Sequence, residues 1–174
     1  MNRAAFTRSM FTNPVAIRAL LWSKLPLAAF AGLRVARLDE SGAEVTLPAG
    51  WKTQNPFGST YFAAQAMAAE MSTGAPALWF IEQSGAPVAS LVTGISARFT
   101  KKATTKASFV FSDGAGMRAA IDRAVKTGEP VVFTARSIGT QRDGTQIADF
   151  AVEWSFKRRS GESRTQDHDA NPPA

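Results

Sequence analysis

Residues 59–73 read STYFAAQAMAAEMST. Drawn as a helix, this stretch is apolar or small on every side: Tyr61, Phe62, Ala63, Ala64, Ala66, Met67, Ala68, Ala69 and Met71 leave no polar face. A helix of that kind is a buried one, and its alanines let strands approach closely. The flanking segments have the patterns of those strands. Leu33–Leu38 and Ala43–Leu47 alternate across Asp39-Glu40-Ser41-Gly42, which predicts a hairpin. Val88–Phe99 and Lys106–Phe111 are two further strand-like runs, and Val131–Ile138 with Gln146–Lys157 make a second hairpin across Arg142-Asp143-Gly144. In the last run Ala148, Phe150, Val152, Trp154 and Phe156 alternate with polar or small residues, the mark of a sheet with one covered face. Between the hairpins, Ala115–Thr127 is amphipathic through Met117, Ile121, Ala124 and Val125, and Gly128 stops it. Short connections make the sheet antiparallel. The expected fold class is α+β, with an antiparallel sheet wrapped around one central helix.

Outside that unit, Asn13-Pro14 opens a helix with proline at its first position, and Pro26 is expected to stop it. The chain therefore divides into an N-terminal helical extension (1–29), one domain (30–158) and a polar, Pro-ended tail (159–174) expected to be disordered. A length of 174 residues suffices for a core without staples. The chain has no cysteine and one histidine, His168, in the tail. That composition excludes disulfide scaffolds, thiolate metal sites, a Ser–His–Asp relay and histidine metal clusters. No metal site is expected.

The net charge of +6 comes from the N-terminal region: Arg3, Arg8, Arg18, Lys24, Arg34 and Arg37 precede the first acid, Asp39. This stretch resembles a mitochondrial presequence in composition and an interfacial helix in its mix of Leu, Trp and Arg. The preferred reading is a helix that docks on its own domain. Spread-out charges argue against nucleic acid, and no apolar run reaches the 18 residues of a membrane span. A cytoplasmic location is expected.

Glu70 is the only charged residue between Lys52 and Glu82, on a helix otherwise almost wholly apolar. A carboxylate there must find partners, reach water or hold its proton. Its expected state is a carboxyl of raised pKa, suited to a general base or nucleophile near neutrality. The plainer alternative is a side chain at the helix end that points into solvent. Ahead of the helix, Asn55-Pro56 and Gly58 form a loop, and the free N–H groups of the helix start carry the positive end of its dipole. Together these groups are suited to a carbonyl oxygen and the oxyanion of acyl transfer. A common Asn-Pro turn with a Ser cap would look the same.

Asn55-Pro-Phe-Gly58-Ser-Thr-Tyr61-Phe62-Ala63, followed by the alanine-rich helix to Glu70-Met-Ser-Thr-Gly74, resembles the core motif of the hotdog-fold acyl-CoA thioesterases. The nearest relatives by this motif are the phenylacetate-pathway type and an uncharacterised branch. The resemblance spans about residues 30–158 and implies a hotdog fold with an extra N-terminal helix. It implies that Asn55 orients the thioester or the attacking water, and that the N–H of Phe62 polarises the carbonyl. Glu70 would serve as base or nucleophile. A hydroxyl from the following strand would place water, with Thr93 chosen over Ser90 and Ser96. Where the family commonly has His-Gly-Gly, this chain has Tyr61-Phe62-Ala63; Tyr61 brings a hydroxyl donor, and the two rings narrow the approach to the backbone.

By the same resemblance, Arg98, Lys101, Lys102 and Lys106 are candidates to bind the phosphates of coenzyme A, which enters as part of the substrate with no separate cofactor. Lysines at a sheet turn also serve solubility and edge protection. The expected partners are an acyl-CoA or other thioester and a second copy of the chain, as a homodimer or dimer of dimers. Two functions follow: hydrolysis of acyl-CoA or acyl-carrier thioesters, or non-catalytic binding of acyl-CoA or fatty-acyl groups.

Overall fold

The computed structural model describes residues 13–159. Helix α1 (Pro14–Lys24) starts where expected, with the Asn13 carboxamide oxygen accepting from the N–H groups of Val15 and Ala16 at 2.9 and 3.2 Å. Pro26 ends α1 and also opens a second helix, α2 (Pro26–Ala31), which sequence reading did not expect. A proline at the first position of a helix forfeits no hydrogen bond, so one residue can serve both ends. Ile17 and Leu21 of α1, with Ala28 and Ala31 of α2, are buried, so this extension does dock on its own domain.

The hairpin β1 (Arg34–Asp39) and β2 (Gly42–Leu47) turns at Gly42, whose φ of +142° favours glycine and where a Cβ would lie 2.1 Å from the Phe111 carbonyl oxygen. Then come α3 (Phe62–Ser84), β3 (Val88–Phe99), β4 (Ala107–Phe111), α4 (Gly114–Thr127), β5 (Val131–Gln141) and β6 (Gln146–Arg158). The six strands form one antiparallel sheet in the order β1-β2-β4-β5-β6-β3. Helix α3 packs against β2, β4 and β5, and α4 against β5 and β6. Ala148, Phe150, Val152, Trp154 and Phe156 of β6 all turn inward to this core, as their alternation predicts.

Helix α3 is longer than the sequence suggests. Gly74 and Pro76 predict a break near Thr73, yet the helix runs on to Ser84 with Pro76 inside it. Proline removes one N–H and so leaves the Ser72 carbonyl without its usual partner, a substantial local cost. Beyond it Trp79 and Phe80 are 3% and 2% exposed. Burying two such rings contributes roughly 1.5–3 kcal/mol each and offsets the proline. Two buried polar pairs tie α3 to the sheet: Ser72 with Ser137 at 2.8 Å, and the Trp154 indole N–H donating to Thr73 Oγ1 at 3.0 Å.

Candidate functional site

The loop between β2 and α3 is folded by Asn55. Its side-chain oxygen accepts from the N–H of Phe57 at 3.0 Å, and from the N–H and Oγ of Ser59 at 3.2 and 3.3 Å. Its backbone closes the same turn, N–H to the Ser59 carbonyl at 2.8 Å. The oxygen is thus committed locally, while the Asn55 NH2 has no acceptor among the described residues. Further bonds clamp the loop to its surroundings. Thr60 N–H donates to the Ala103 carbonyl and Tyr61 N–H to the Thr53 carbonyl, both at 2.7 Å. Gln65, only 5% exposed, donates its Nε2 to the Thr60 carbonyl at 3.1 Å.

Tyr61 caps α3 in extended conformation without a side-chain hydrogen bond. The first-turn N–H groups of Phe62 and Ala63 therefore have no acceptor among the described residues. Phe62 lines a cavity of about 550 Å³ together with Asn55, Tyr61, Gln65, Phe99 and Lys102, among others. The Tyr61 and Phe62 rings meet edge to face at 4.8 Å and are 46% and 56% exposed. The site thus offers a free amide NH2 and helix-start N–H groups, beside two rings that crowd them.

Glu70 lies elsewhere. It is eight positions beyond Phe62, about 12 Å along the axis at about 1.5 Å per residue. It lines a separate cavity of about 270 Å³, whose apolar walls come from Met71, Ala75 and Leu78 of α3, from Trp154, and from Leu20, Leu21 and Leu25 near α1. Among the described residues its carboxylate makes no hydrogen bond or ion pair, and burial raises its pKa above the ordinary 4.5. Position 74 makes room for it: a Cβ there would sit 3.1 Å from Glu70 Oε1 and 3.4 Å from the Trp154 ring. Glu70 is therefore neither at a helix end nor pointing into bulk solvent.

The remaining expected residues fall as follows. Thr93 is at the β3 bulge between Val92 and Gly94, exposed, its hydroxyl 3.5 Å from the Glu153 carbonyl. It does not line the Glu70 cavity; Ser90, one of the two alternatives, does. The two positions are three residues apart, so strand alternation alone sends their side chains to opposite faces, and Thr93 is itself the residue inserted at the bulge. The basic cluster also separates. Lys101 and Lys102 border the Asn55 cavity, and Lys102 reaches the Phe57 carbonyl at 3.4 Å. Lys106 joins Arg18 and Arg34 around a third cavity of about 510 Å³. Arg98 lies on β3 opposite Asp149, whose carboxyl is held low chiefly by its hydrogen bond to Arg136 and in part by the charge of Arg98. His168 and the tail lie outside the described residues.

Sequence reasoning missed Gln65, Gly74, Lys24 and the α1 leucines. Gln65 left a usable signal, as the one other long polar side chain in the apolar stretch 59–73. The contribution of α1 left none.

A family model described as a domain of unknown function (DUF4442) matches residues 14–162. The chain belongs to that family. Among curated proteins, no sequence matches it. Solved structures share its architecture, which is the hotdog fold. A protein of unknown function from Pseudomonas aeruginosa, called a probable thioesterase, superposes with a TM-score of 0.70 at 20% identity, covering 84% of this chain and 97% of that one. A thioesterase of Haemophilus influenzae gives 0.59 at 12% identity, covering 83% and 90%. The PaaI protein of the E. coli phenylacetic acid degradation operon gives 0.55 at 14% identity, covering 89% and 96%. These likenesses establish the fold. Among the described residues no helix is long and apolar enough to cross a membrane.

Proposed function

We propose that the chain hydrolyses acyl thioesters, of coenzyme A or an acyl carrier, with Glu70 as the reacting carboxylate and the α3 N-terminus as the oxyanion site. The observation that carries this reading is Glu70 itself: a half-buried carboxyl in an apolar cavity, without polar partners among the described residues, its pKa raised by burial. Structure without function would not retain an unpaired acid at such a place, since the site would be more stable with an apolar residue.

As a base, ionised Glu70 takes a proton from water as the water oxygen bonds to the thioester carbon. The carbonyl oxygen becomes an oxyanion facing the N–H of Phe62 and the Asn55 NH2. The C–S bond then breaks, and the proton held on Glu70 passes to the departing sulfur. As a nucleophile, Glu70 would instead attack the thioester carbon and expel the thiolate, which takes a proton from water, and a second water would cleave the resulting mixed anhydride to the free acid and Glu70. Both routes need the ionised carboxylate, so the rate rises with pH through its raised pKa.

Glu70 and Phe62 are about 12 Å apart along one helix at about 1.5 Å per residue, too far to serve one carbonyl. We therefore place each site between two copies of the chain, Glu70 from one and Asn55 with Phe62 from the other. The outer edge of β3 supports such pairing: it is an unpaired sheet edge carrying Leu91, Ile95 and Phe99 at 66%, 49% and 46% exposure. Lys101 and Lys102, beside the Asn55 cavity, are placed for the coenzyme phosphates.

The test is turnover of an acyl-CoA panel by the wild type, Glu70→Gln and Asn55→Ala. Each variant alone is expected to lose about 100-fold or more. Mixed and re-associated, random pairing gives heterodimers with one intact site, restoring about a quarter of wild-type activity. Equal rates for the wild type and Glu70→Gln would refute the carboxylate mechanism. Failure of the mixture to recover would refute the shared site. The crowding of the helix start by Tyr61 and Phe62 favours a second reading, an acyl-binding protein without turnover. Tight binding with no hydrolysis would select it.

A further inference from the structure

We infer that the cavity behind Glu70 is the acyl subsite and that helix α1, docked on the domain through Ile17 and Leu21, closes its far wall, restricting the ligand to aliphatic or arylalkanoyl groups of about ten heavy atoms or fewer. The turnover part of this inference rests on the thioesterase reading; the binding part does not.

The wall is built from two sides. Met71 and Leu78 present one apolar surface from α3, and Trp154 adds an indole face from β6. That indole is held in place by its N–H bond to Thr73. Across the gap stand Leu20, Leu21 and Leu25. Their position is fixed rather than incidental: Leu21 is 4% exposed and Ile17, one turn earlier, 7%, so α1 is anchored by the same face that borders the cavity. Pro26 then forces the chain out of α1 directly after Leu25. An acyl chain whose carbonyl lies at Glu70 extends over Trp154 and meets these leucines.

Volume sets the limit. At the packing density of protein interiors, about 0.75, the 270 Å³ cavity encloses roughly 200 Å³ of atoms, on the order of ten carbons. Within it each buried methylene strengthens binding about fourfold; beyond it each adds nothing or displaces α1. Apart from Glu70, the polar residues lining the cavity are Ser90 and Lys24, and the remaining lining side chains are apolar or small.

The probes are S-alkyl-CoA thioethers with chains of four to sixteen carbons, which have no carbonyl to hydrolyse. Their affinities, measured by calorimetry on the full chain, are expected to rise about fourfold per methylene to eight or ten carbons and then level or fall. Leu20→Ala should move the break at least two carbons longer, and Leu20→Trp should shorten it to six or fewer. Leu25→Trp, at a position 48% exposed, provides the same shortening should Leu20→Trp not fold. Affinity that climbs through sixteen carbons, a break unmoved in the folded variants, or no binding of any thioether would overturn the inference. Hydrolysis of thioesters with no chain-length break would leave the thioesterase reading standing and this one refuted. A moving break without hydrolysis would do the reverse.

Discussion

At its N-terminal end α3 is held by polar groups: Asn55 folds the loop, Gln65 grips the Thr60 carbonyl, and strand-like bonds from Thr60 and Tyr61 fix the entry of the chain. Eight residues further on, Glu70 sits among leucines, a methionine and a tryptophan with no polar partner of its own among the described residues. The first region gains stability from its polar atoms and the second loses stability to one. In the Asn55 loop the side-chain oxygen satisfies the turn, while the NH2 has no acceptor among the described residues. A desolvated carboxyl is reactive because it is poorly accommodated. The contrast has one exception, the Gln65 Oε1, which is buried without a hydrogen-bond partner among the described residues.

Glu70→Gln breaks the contrast most sharply, and its two readouts should move oppositely. Hydrolysis falls about 100-fold or more, as for loss of a general base, while stability at neutral pH rises. The sign follows from linkage: the folded carboxyl has a pKa raised above 4.5, so between 4.5 and the raised value the folded state binds more protons than the unfolded one. Stability then falls as pH climbs through that window and stays lower above it. The amide has no such dependence, so the Tm advantage of Glu70→Gln should appear above pH 4.5, persist at neutrality and vanish in more acid solution. Thermal melts from pH 3.5 to 8 decide this; a variant less stable than the wild type at pH 7 would show that Glu70 is well accommodated after all.

Asn55 allows the opposite dissection, since its oxygen and its NH2 have separate tasks. Asn55→Ala removes three acceptor contacts and should cost about 1–2 kcal/mol, lowering Tm by about 2–8 °C at about 2–4 °C per kcal/mol. Asn55→Asp keeps the acceptor, loses the donor and adds a negative charge beside the place where the oxyanion would form. It should hold Tm within about 2 °C of the wild type while kcat/KM drops by about 100-fold or more, the worth of one oxyanion donor. Calorimetric melts alongside kinetics make the comparison. If Asn55→Asp keeps full activity, the NH2 does not touch the substrate.

How much of this was legible follows the range of the interactions. The β5–β6 hairpin and α4 could be read because their signals, a period of two and Gly128 after a period near four, lie within a dozen residues. The Asn55 loop was legible for the same reason. The extent of α3 was not: Gly74 and Pro76 are local signals for a stop, overruled by burial of Trp79 and Phe80 against distant strands. The Glu70 cavity was legible only by halves. The lone acid stood out, but its walls come from Leu20–Leu25 and Trp154, far away in the chain. Thr93 stands away from the Glu70 cavity while Ser90 lines it, and only the register of β3 against β6, a long-range pairing, distinguishes them. The basic residues 98–106 are close in sequence, yet the connection from β3 to β4 spreads them over three surroundings.

Gly74→Ala tests the tightest point of the comparison and should have the smallest net effect on stability. In a helix interior, alanine in place of glycine is worth about 1 kcal/mol in propensity. Nothing in the backbone forbids it, because α3 is regular through this position. Against that gain, the new methyl would stand 3.1 Å from Glu70 Oε1 and 3.4 Å from the Trp154 ring. The indole is pinned by Thr73, so the carboxylate must yield. The expected Tm lies within about 2 °C of the wild type, the two effects largely cancelling, while kcat falls severalfold because the carboxylate has moved and KM changes less. A Tm raised by the full propensity gain with kcat intact would mean that Glu70 adapts freely, and the cavity would then be a loose fit around its acid rather than a mould for it.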